Sequence, residues 1–314
     1  MIMSEPHQFT GMRGKLSRDE PLARHTAWRC GGKADLAYVP ADRDDLAVFL
    51  RQLPEDDPLT VIGLGSNLLV RDRGVRGAVV LMHAPGGVLA VADGFVYAEA
   101  GVASPKLARF AAMHDCAEAE FLAGVPGTVG GALAMNAGCY GGETWRSVAK
   151  VELAKRDGTF AVLEPRDFAI AYRSVLFADG GAIDGVFTAA WFRFPHGDST
   201  RARERIKELL AKRIATQPLN LPNAGSVFRN PEDDHAARLI EACGLKGYAI
   251  GGASVSEKHA NFIVNPNSAA RASDIEALIA HVRTVVAEKT GIVLEPEVRI
   301  IGVAACASSE RWRC

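Results

Sequence analysis

The stretch Ala123-Gly-Val-Pro-Gly-Thr-Val-Gly-Gly-Ala132 constrains this chain most, because four glycines and a proline within ten residues cannot continue a regular helix or strand. It has to turn. A second run, Gly63-Leu-Gly-Ser-Asn67, does the same after a β-rich segment, and Gly31-Gly32 adds a third break. Glycine has no Cβ to hold a ligand away, so backbone N–H groups in such runs can approach phosphate oxygens closely. Neither long run is a familiar nucleotide loop. The run at 63–67 lacks the third glycine of the dinucleotide fingerprint, and the run at 123–132 lacks the Lys-Ser/Thr of a Walker A loop. Taken singly, each fits a tight turn at a strand end; together they point to a phosphate-bearing ligand.

Composition narrows the class. A length of 314 residues suggests two or three domains of about 100 to 150 residues. A chain that is 48% hydrophobic and 23% charged, with a net charge of −1, reads as a soluble globular enzyme without the field that attracts nucleic acid. Cys30, Cys116, Cys139, Cys243, Cys306 and Cys314 are scattered, with no C-x-x-C pair and no zinc spacing. They imply free thiols in a reducing compartment and no bound metal. Met1-Ile-Met-Ser-Glu-Pro6 lacks the basic-then-apolar pattern of a secretory signal, and no run reaches the ~18 apolar residues of a membrane span. The expectation is a cytoplasmic protein with no membrane insertion.

Short β-rich runs fill the first two thirds, at 36–40, 59–63, 78–82, 95–100, 148–154, 160–163 and 186–194. Helices are expected at 42–53, and at 104–114 with Ser104 as cap and Pro105 at the first position. A charged helix at 199–214 leads into the proline-rich 218–222, which reads as a hinge. Further helices are expected at 233–243, stopped by Gly244, and from 273 to Gly291 with a Ser273-to-Glu276 capping box. Strands are expected at 248–251, 261–265 and 298–302. The layout is α+β in at least two units.

Two C-terminal segments carry chemistry. Asn223-Ala-Gly-Ser-Val-Phe-Arg-Asn-Pro231 places the Ser226 hydroxyl on a Gly-flanked turn, and Leu294-Glu-Pro-Glu-Val-Arg299 offers carboxylates that no apolar periodicity explains. A serine and a carboxylate brought together by folding can handle a proton.

Eight segments in order resemble the UDP-N-acetylenolpyruvoylglucosamine reductases: Thr26-Ala-Trp-Arg-Cys-Gly-Gly-Lys-Ala-Asp35, Gly63-Leu-Gly-Ser-Asn-Leu-Leu-Val70, Glu120 through Ala132, Met135-Asn-Ala-Gly-Cys-Tyr-Gly141, Tyr172-Arg-Ser174, Gly225 through Pro231, Gly251 through Asn265, and Leu294 through Gly302. The resemblance implies an α+β fold: a two-subdomain FAD-binding part of the vanillyl-alcohol-oxidase (PCMH) type, plus a C-terminal α+β substrate domain. Its implied boundaries are a tail at 1–20, FAD-binding subdomains at 21–86 and 87–197, a substrate domain with its linker helix at 198–302, and a tail at 303–314. It implies non-covalent FAD, although His25 and Cys139 sit where relatives attach flavin covalently, and NADPH as reductant. The FAD would lie on Gly63, Leu64, Gly65, Ser66, Asn67, Gly124, Val125, Pro126, Gly127, Thr128, Gly130, Gly131, Asn136 and Gly138. Converging N–H dipoles would neutralise its diphosphate.

The resemblance also implies reduction of the enolpyruvyl group of UDP-N-acetylglucosamine enolpyruvate. Hydride addition to that alkene builds charge beside a carboxylate, which needs a stabiliser and a proton donor. Arg173 matches the stabiliser, Ser226 the acid and Glu297 the carboxylate that orients them; preferring Glu297 to Glu295 rests on the resemblance, since both share a face of an extended segment. Tyr172, Asn230, Lys246, Lys258 and His259 are the implied sugar-nucleotide ligands. The short segment after Ser174 resembles the compact type without a substrate-capping insertion, and no oligomer is required. An FAD-dependent oxidase of a small alcohol or sugar and a non-catalytic flavin or UDP-sugar module are the competing readings.

Overall fold

The computed structural model describes residues 9–83 and 87–304, so the first eight residues of the expected N-terminal tail, and the C-terminal tail from 305 on, lie outside the described residues. Residues 15–21, assigned to a tail from sequence, form a strand. The chain makes two compact units. The first comprises residues up to Ser17, Ala37–Val61 and Ala78–Arg203, and the second Arg18–Leu36, Ile62–Gly77 and residues from Glu204 on. The chain passes between them inside the strands Lys15–Pro21, Lys33–Val39, Leu59–Ile62 and Val75–Leu81.

The first unit is built on an antiparallel five-stranded sheet ordered Phe160–Leu163, Val148–Lys155, Gly185–Phe192, Phe95–Glu99, Leu89–Ala92. In Phe95–Glu99 only Val96 and Ala98 are buried, the alternation of a strand with one covered face. The central Gly185–Phe192 is buried almost throughout. Helix α1 (Arg43–Gln52) packs on Val148–Lys155 through Leu46, Ala47, Phe49 and Leu50, and starts where the Asp42 carboxylate accepts the Asp45 N–H. Each such fully buried Leu or Phe side chain contributes about 1.5–3 kcal/mol.

Helix α2 (Ser104–Met113) corrects the expected cap: Ala103 is the N-cap, and Ser104 is already helical ahead of Pro105. An isolated bridge between Ala103 and Thr128 and the Ser104 N–H bond to Gly127 O at 2.9 Å fix the chain one residue early. The Ser104 hydroxyl is buried with no hydrogen-bond partner among the described residues. Helix α3 (Val129–Ala134) follows, capped by Thr128, and packs on Gly185–Phe192.

A hairpin the sequence did not announce joins Phe168–Ala171 to Ser174–Phe177, pairing Ala171 with Ser174 so that Tyr172 and Arg173 form the two-residue connection. Phe168 anchors it, with ring centroids 4.8 Å from Trp145, 5.8 Å from Phe177 and 6.1 Å from Phe187.

Helix α4 (Ser199–Thr216) leads along the chain into the C-terminal part of the second unit, where α5 (Ala236–Ala242) and α6 (Ala272–Thr290) share a core with Trp28, Leu69, Val227, Phe228 and Val255. Trp28 Nε1–H donates to Ile263 O at 2.8 Å, and Asn265 Nδ2 donates to Trp28 O at 2.8 Å. Helix α5 starts three residues later than expected because Asp233 has φ 60°, which a right-handed helix cannot contain. Helix α6 is not capped by Ser273. The Asp72 carboxylate takes the N–H groups of Ala272 and Ser273 at 2.9 and 3.0 Å, and Asp274 closes back on the Arg271 N–H at 3.0 Å. The expected stop at Gly291 holds, with φ 75°. Strands Leu68–Val70 and Arg299–Ile301 pair in parallel, and Ala249–Ile250, Ala253–Val255 and Ile263–Val264 form a small antiparallel sheet. The middle strand of that sheet was not expected. Among the described residues no helix is long and apolar enough to cross a membrane.

Candidate active site

Arg173 occupies the second position of its tight connection, with φ 56°, the left-handed region that favours glycine. Its guanidinium carbon lies 5.0 Å from the Tyr172 ring centroid, and its Nη1 and Nη2 donate to Asn136 O and Gly138 O at 3.4 and 3.1 Å. The structure thus brings Arg173 and Tyr172 to the expected flavin residues Asn136 and Gly138.

Asn136 itself is buried and its amide is committed to protein. Its Nδ2 donates to Glu143 Oε2 and Ala171 O at 3.0 and 3.3 Å, and its Oδ1 accepts the Trp145 N–H at 3.2 Å. The side chain therefore grips the Arg173 hairpin at the residue before its turn, rather than being offered to a ligand.

The run at 124–131 shows why its residues are small. A Cβ on Gly124 would lie 2.6 Å from Cys139 Sγ, and one on Gly130 would lie 2.9 Å from Ala100 Cβ. At Gly131, by contrast, a Cβ would meet only Thr128 Oγ1, at 3.5 Å. The first two glycines let the loop lie against its own unit, and the third leaves a strip of bare backbone. The N–H groups of Val129, Gly130 and Gly131 donate to Val102 O, Ala100 O and Thr128 Oγ1.

In the second unit, Gly65 has φ 58°, its carbonyl accepts the Ala27 N–H at 3.0 Å, and a Cβ would stand 2.1 Å from His25 O. Only glycine fits there. The Gly131 backbone, with the Thr128 hydroxyl beside it, leaves room for close approach of a ligand. His25 Nε2 is paired with Glu20 at 3.0 Å, and the Cys139 thiol donates to Phe121 O at 2.9 Å, so both side chains are engaged with protein groups.

The same unit assembles the serine and the glutamate. Gly225, at φ 77°, turns the chain into Ser226 after the Asn223 side chain takes the Gly225 N–H at 3.0 Å. The Glu297 N–H donates to Val227 O at 2.7 Å, and Asn67 Nδ2 donates to Glu297 O at 3.1 Å. Three segments remote in sequence, the loop at 63–67, the Ser226 turn and Glu297, are thereby tied by hydrogen bonds. Arg173 belongs to the first unit. The two carboxylates also separate: Glu295 is 73% exposed and faces Arg229 at 3.9 Å, whereas Glu297 is half-buried.

The expected sugar-nucleotide ligands differ in how they are held. Asn230 Oδ1 accepts the Ala236 N–H at 3.1 Å, completing the start of α5. Lys246 is paired with Glu241 at 2.8 Å, and Lys258 Nζ donates to Ile214 O at 2.6 Å. His259 is half-buried; burial, reinforced by Lys246, pushes its pKa below the usual imidazole value. Its Nδ1 lies 3.3 Å from the Asn261 N–H, so the neutral ring accepts there and carries its proton on Nε2. Asn261, which sequence reasoning did not single out, is buried beside this turn. A cavity of about 790 Å³ in the first unit, lined by residues including Leu50, Arg156 and Phe177, contains none of the candidate residues.

Two family models match the chain: an FAD binding domain over residues 34–164, and the UDP-N-acetylenolpyruvoylglucosamine reductase C-terminal domain over residues 217–301. The UDP-N-acetylenolpyruvoylglucosamine reductase of Nitrosospira multiformis is 53% identical, over 97% of this chain and 94% of its own. That of Thiobacillus denitrificans is 52% identical over 93% of each. The crystal structure of the reductase from Thermus caldophilus superposes with a TM-score of 0.75 at 32% identity, covering 92% of this chain and 99% of that one. The α+β elements, the bare-backbone loops and near-complete matches of this kind converge on one conclusion: the chain belongs to the UDP-N-acetylenolpyruvoylglucosamine reductase family.

Proposed function

We propose that Arg173, Ser226 and Glu297 carry the reaction of this flavoenzyme, which reduces UDP-N-acetylglucosamine enolpyruvate to UDP-N-acetylmuramate with NADPH in peptidoglycan precursor synthesis. The observation that supports the residue roles best is the bonding of the Glu297 main chain to Val227 O, next to Ser226, and to the Asn67 side-chain amide of the glycine-rich loop. Bound FAD would supply the hydride, taken from NADPH, that the enolpyruvyl double bond receives at its methylene carbon. The displaced electron pair moves toward the substrate carboxylate as an enolate. Arg173, permanently charged and planar, holds that carboxylate as its charge grows. The Ser226 hydroxyl delivers the proton to the carbon beside the carboxylate and regains one from water, so hydride plus proton complete the lactyl ether. A serine hydroxyl is a weak acid, and close positioning against a strongly basic carbon makes the transfer feasible. Glu297 orients the substrate carboxylate. His259, neutral with its proton on Nε2, donates to the sugar nucleotide.

In this reading residues 21–86 and 87–197 are the flavin side and 198–302 the sugar-nucleotide side. The enzyme works in the cytoplasm, requires no oligomer and binds no nucleic acid. Anaerobic stopped-flow tests the assignment. NADPH should bleach the flavin of the wild type and of Ser226→Ala alike, and the enolpyruvyl sugar nucleotide should restore the colour quickly in the wild type alone. Rapid recovery in Ser226→Ala would remove the hydroxyl from the acid role.

A further inference from the structure

The turn that presents Ser226 has little regular structure of its own, yet the two N–H groups after the serine, those of Val227 and Phe228, are both taken by one residue. Asn261 Oδ1 accepts the Phe228 N–H at 2.9 Å, Asn261 Nδ2 donates to Phe228 O at 2.8 Å, and Asn261 O accepts the Val227 N–H at 2.9 Å. The primary amide thus acts as a neighbouring strand would, with one donor and one acceptor set against one backbone residue. Asn261 is only 4% exposed, so water cannot replace these bonds. On the other side of Ser226, Gly225 has nothing within 4 Å of a built Cβ among the described residues, and its N–H is held by the Asn223 side chain. Asn261 therefore anchors the turn after the serine on one side, and the Glu297 N–H, donated to Val227 O at 2.7 Å, on the other.

We propose that Asn261 is a positioning residue for proton delivery: by holding Phe228 at both backbone groups, it sets the reach of Ser226 Oγ. This inference rests on Ser226 being the acid. Positional errors of about 1 Å are enough to cost 100-fold in rate, so loss of the clamp should be felt in that step alone.

The test uses the FAD-loaded full-length protein and two variants, Asn261→Ala and the near-isosteric Asn261→Asp, which cannot donate to Phe228 O while ionised. In both, reoxidation by the enolpyruvyl sugar nucleotide should slow roughly 10- to 100-fold, while flavin reduction by NADPH stays within about twofold. Independently of turnover, hydrogen exchange at the Phe228 amide should rise about 10-fold or more in Asn261→Ala, with α6 amides unchanged. The double variant Ser226→Ala/Asn261→Ala should be no slower than Ser226→Ala alone, because both changes remove the same step. Wild-type reoxidation in Asn261→Ala and Asn261→Asp, or additive losses in the double variant, would overturn the positioning role while leaving Ser226 as the acid. Rapid reoxidation in Ser226→Ala would overturn the acid reading, and the positioning role with it.

Discussion

Arg173 combines two demands in one residue. Its left-handed backbone places Cβ against the neighbouring carbonyl, which costs about 1–2 kcal/mol for any residue but glycine. The turn keeps an arginine there, stacked on Tyr172 and reaching Asn136 and Gly138. Arg173→Gly should therefore be more stable than Arg173→Ala by roughly 1 kcal/mol in urea unfolding, although both lose about 100-fold or more in substrate-dependent reoxidation. Equal stability of the two variants would mean that the hairpin relaxes when the guanidinium is gone. The segments that carry Arg173, Ser226 and Glu297 were legible in the sequence through their motifs. What was not legible is how their neighbours are spent: nothing in Met135-Asn-Ala-Gly138 says that the Asn136 amide faces Glu143, Ala171 and Trp145. That Glu295 is exposed and Glu297 half-buried is likewise something alternation alone does not supply.

Helix positions were readable, because apolar spacing and glycine stops at Gly244 and Gly291 are local signals. Helix starts were less so, because the groups that satisfy the first N–H donors can come from anywhere. Asp72 caps α6 from about two hundred residues away, and Thr128, rather than an earlier glycine, begins α3. Asp72→Ala should cost about 1–2 kcal/mol in unfolding free energy, whereas Ser273→Ala should stay within about 0.5 kcal/mol. A larger loss at Ser273 would restore the capping box read from sequence. The hairpin at Phe168–Phe177 escaped notice for a related reason: Tyr172-Arg173 carries no glycine or asparagine, so the usual signal for a two-residue turn is missing.

At the scale of the whole molecule, the second unit gathers Trp28, Leu69 and the Ser226 turn into one core from three separated stretches of chain. Local periodicity cannot disclose such an arrangement; only the match of motifs across the length suggested that remote segments belong together. A fragment of residues 204–304 lacks Trp28 and the Leu68–Val70 partner of Arg299–Ile301. It should show no cooperative urea transition and weak near-ultraviolet circular dichroism; a sharp transition would mean that this stretch folds unaided.

The interleaving also bears on inheritance. Asn67 and the Glu297 carbonyl it holds are encoded 230 residues apart, with most of the other unit written between them. A single genetic crossover in that interval would give a hybrid the loop of one parent and the glutamate of the other, so such mosaics survive only when both sides of that contact have diverged little.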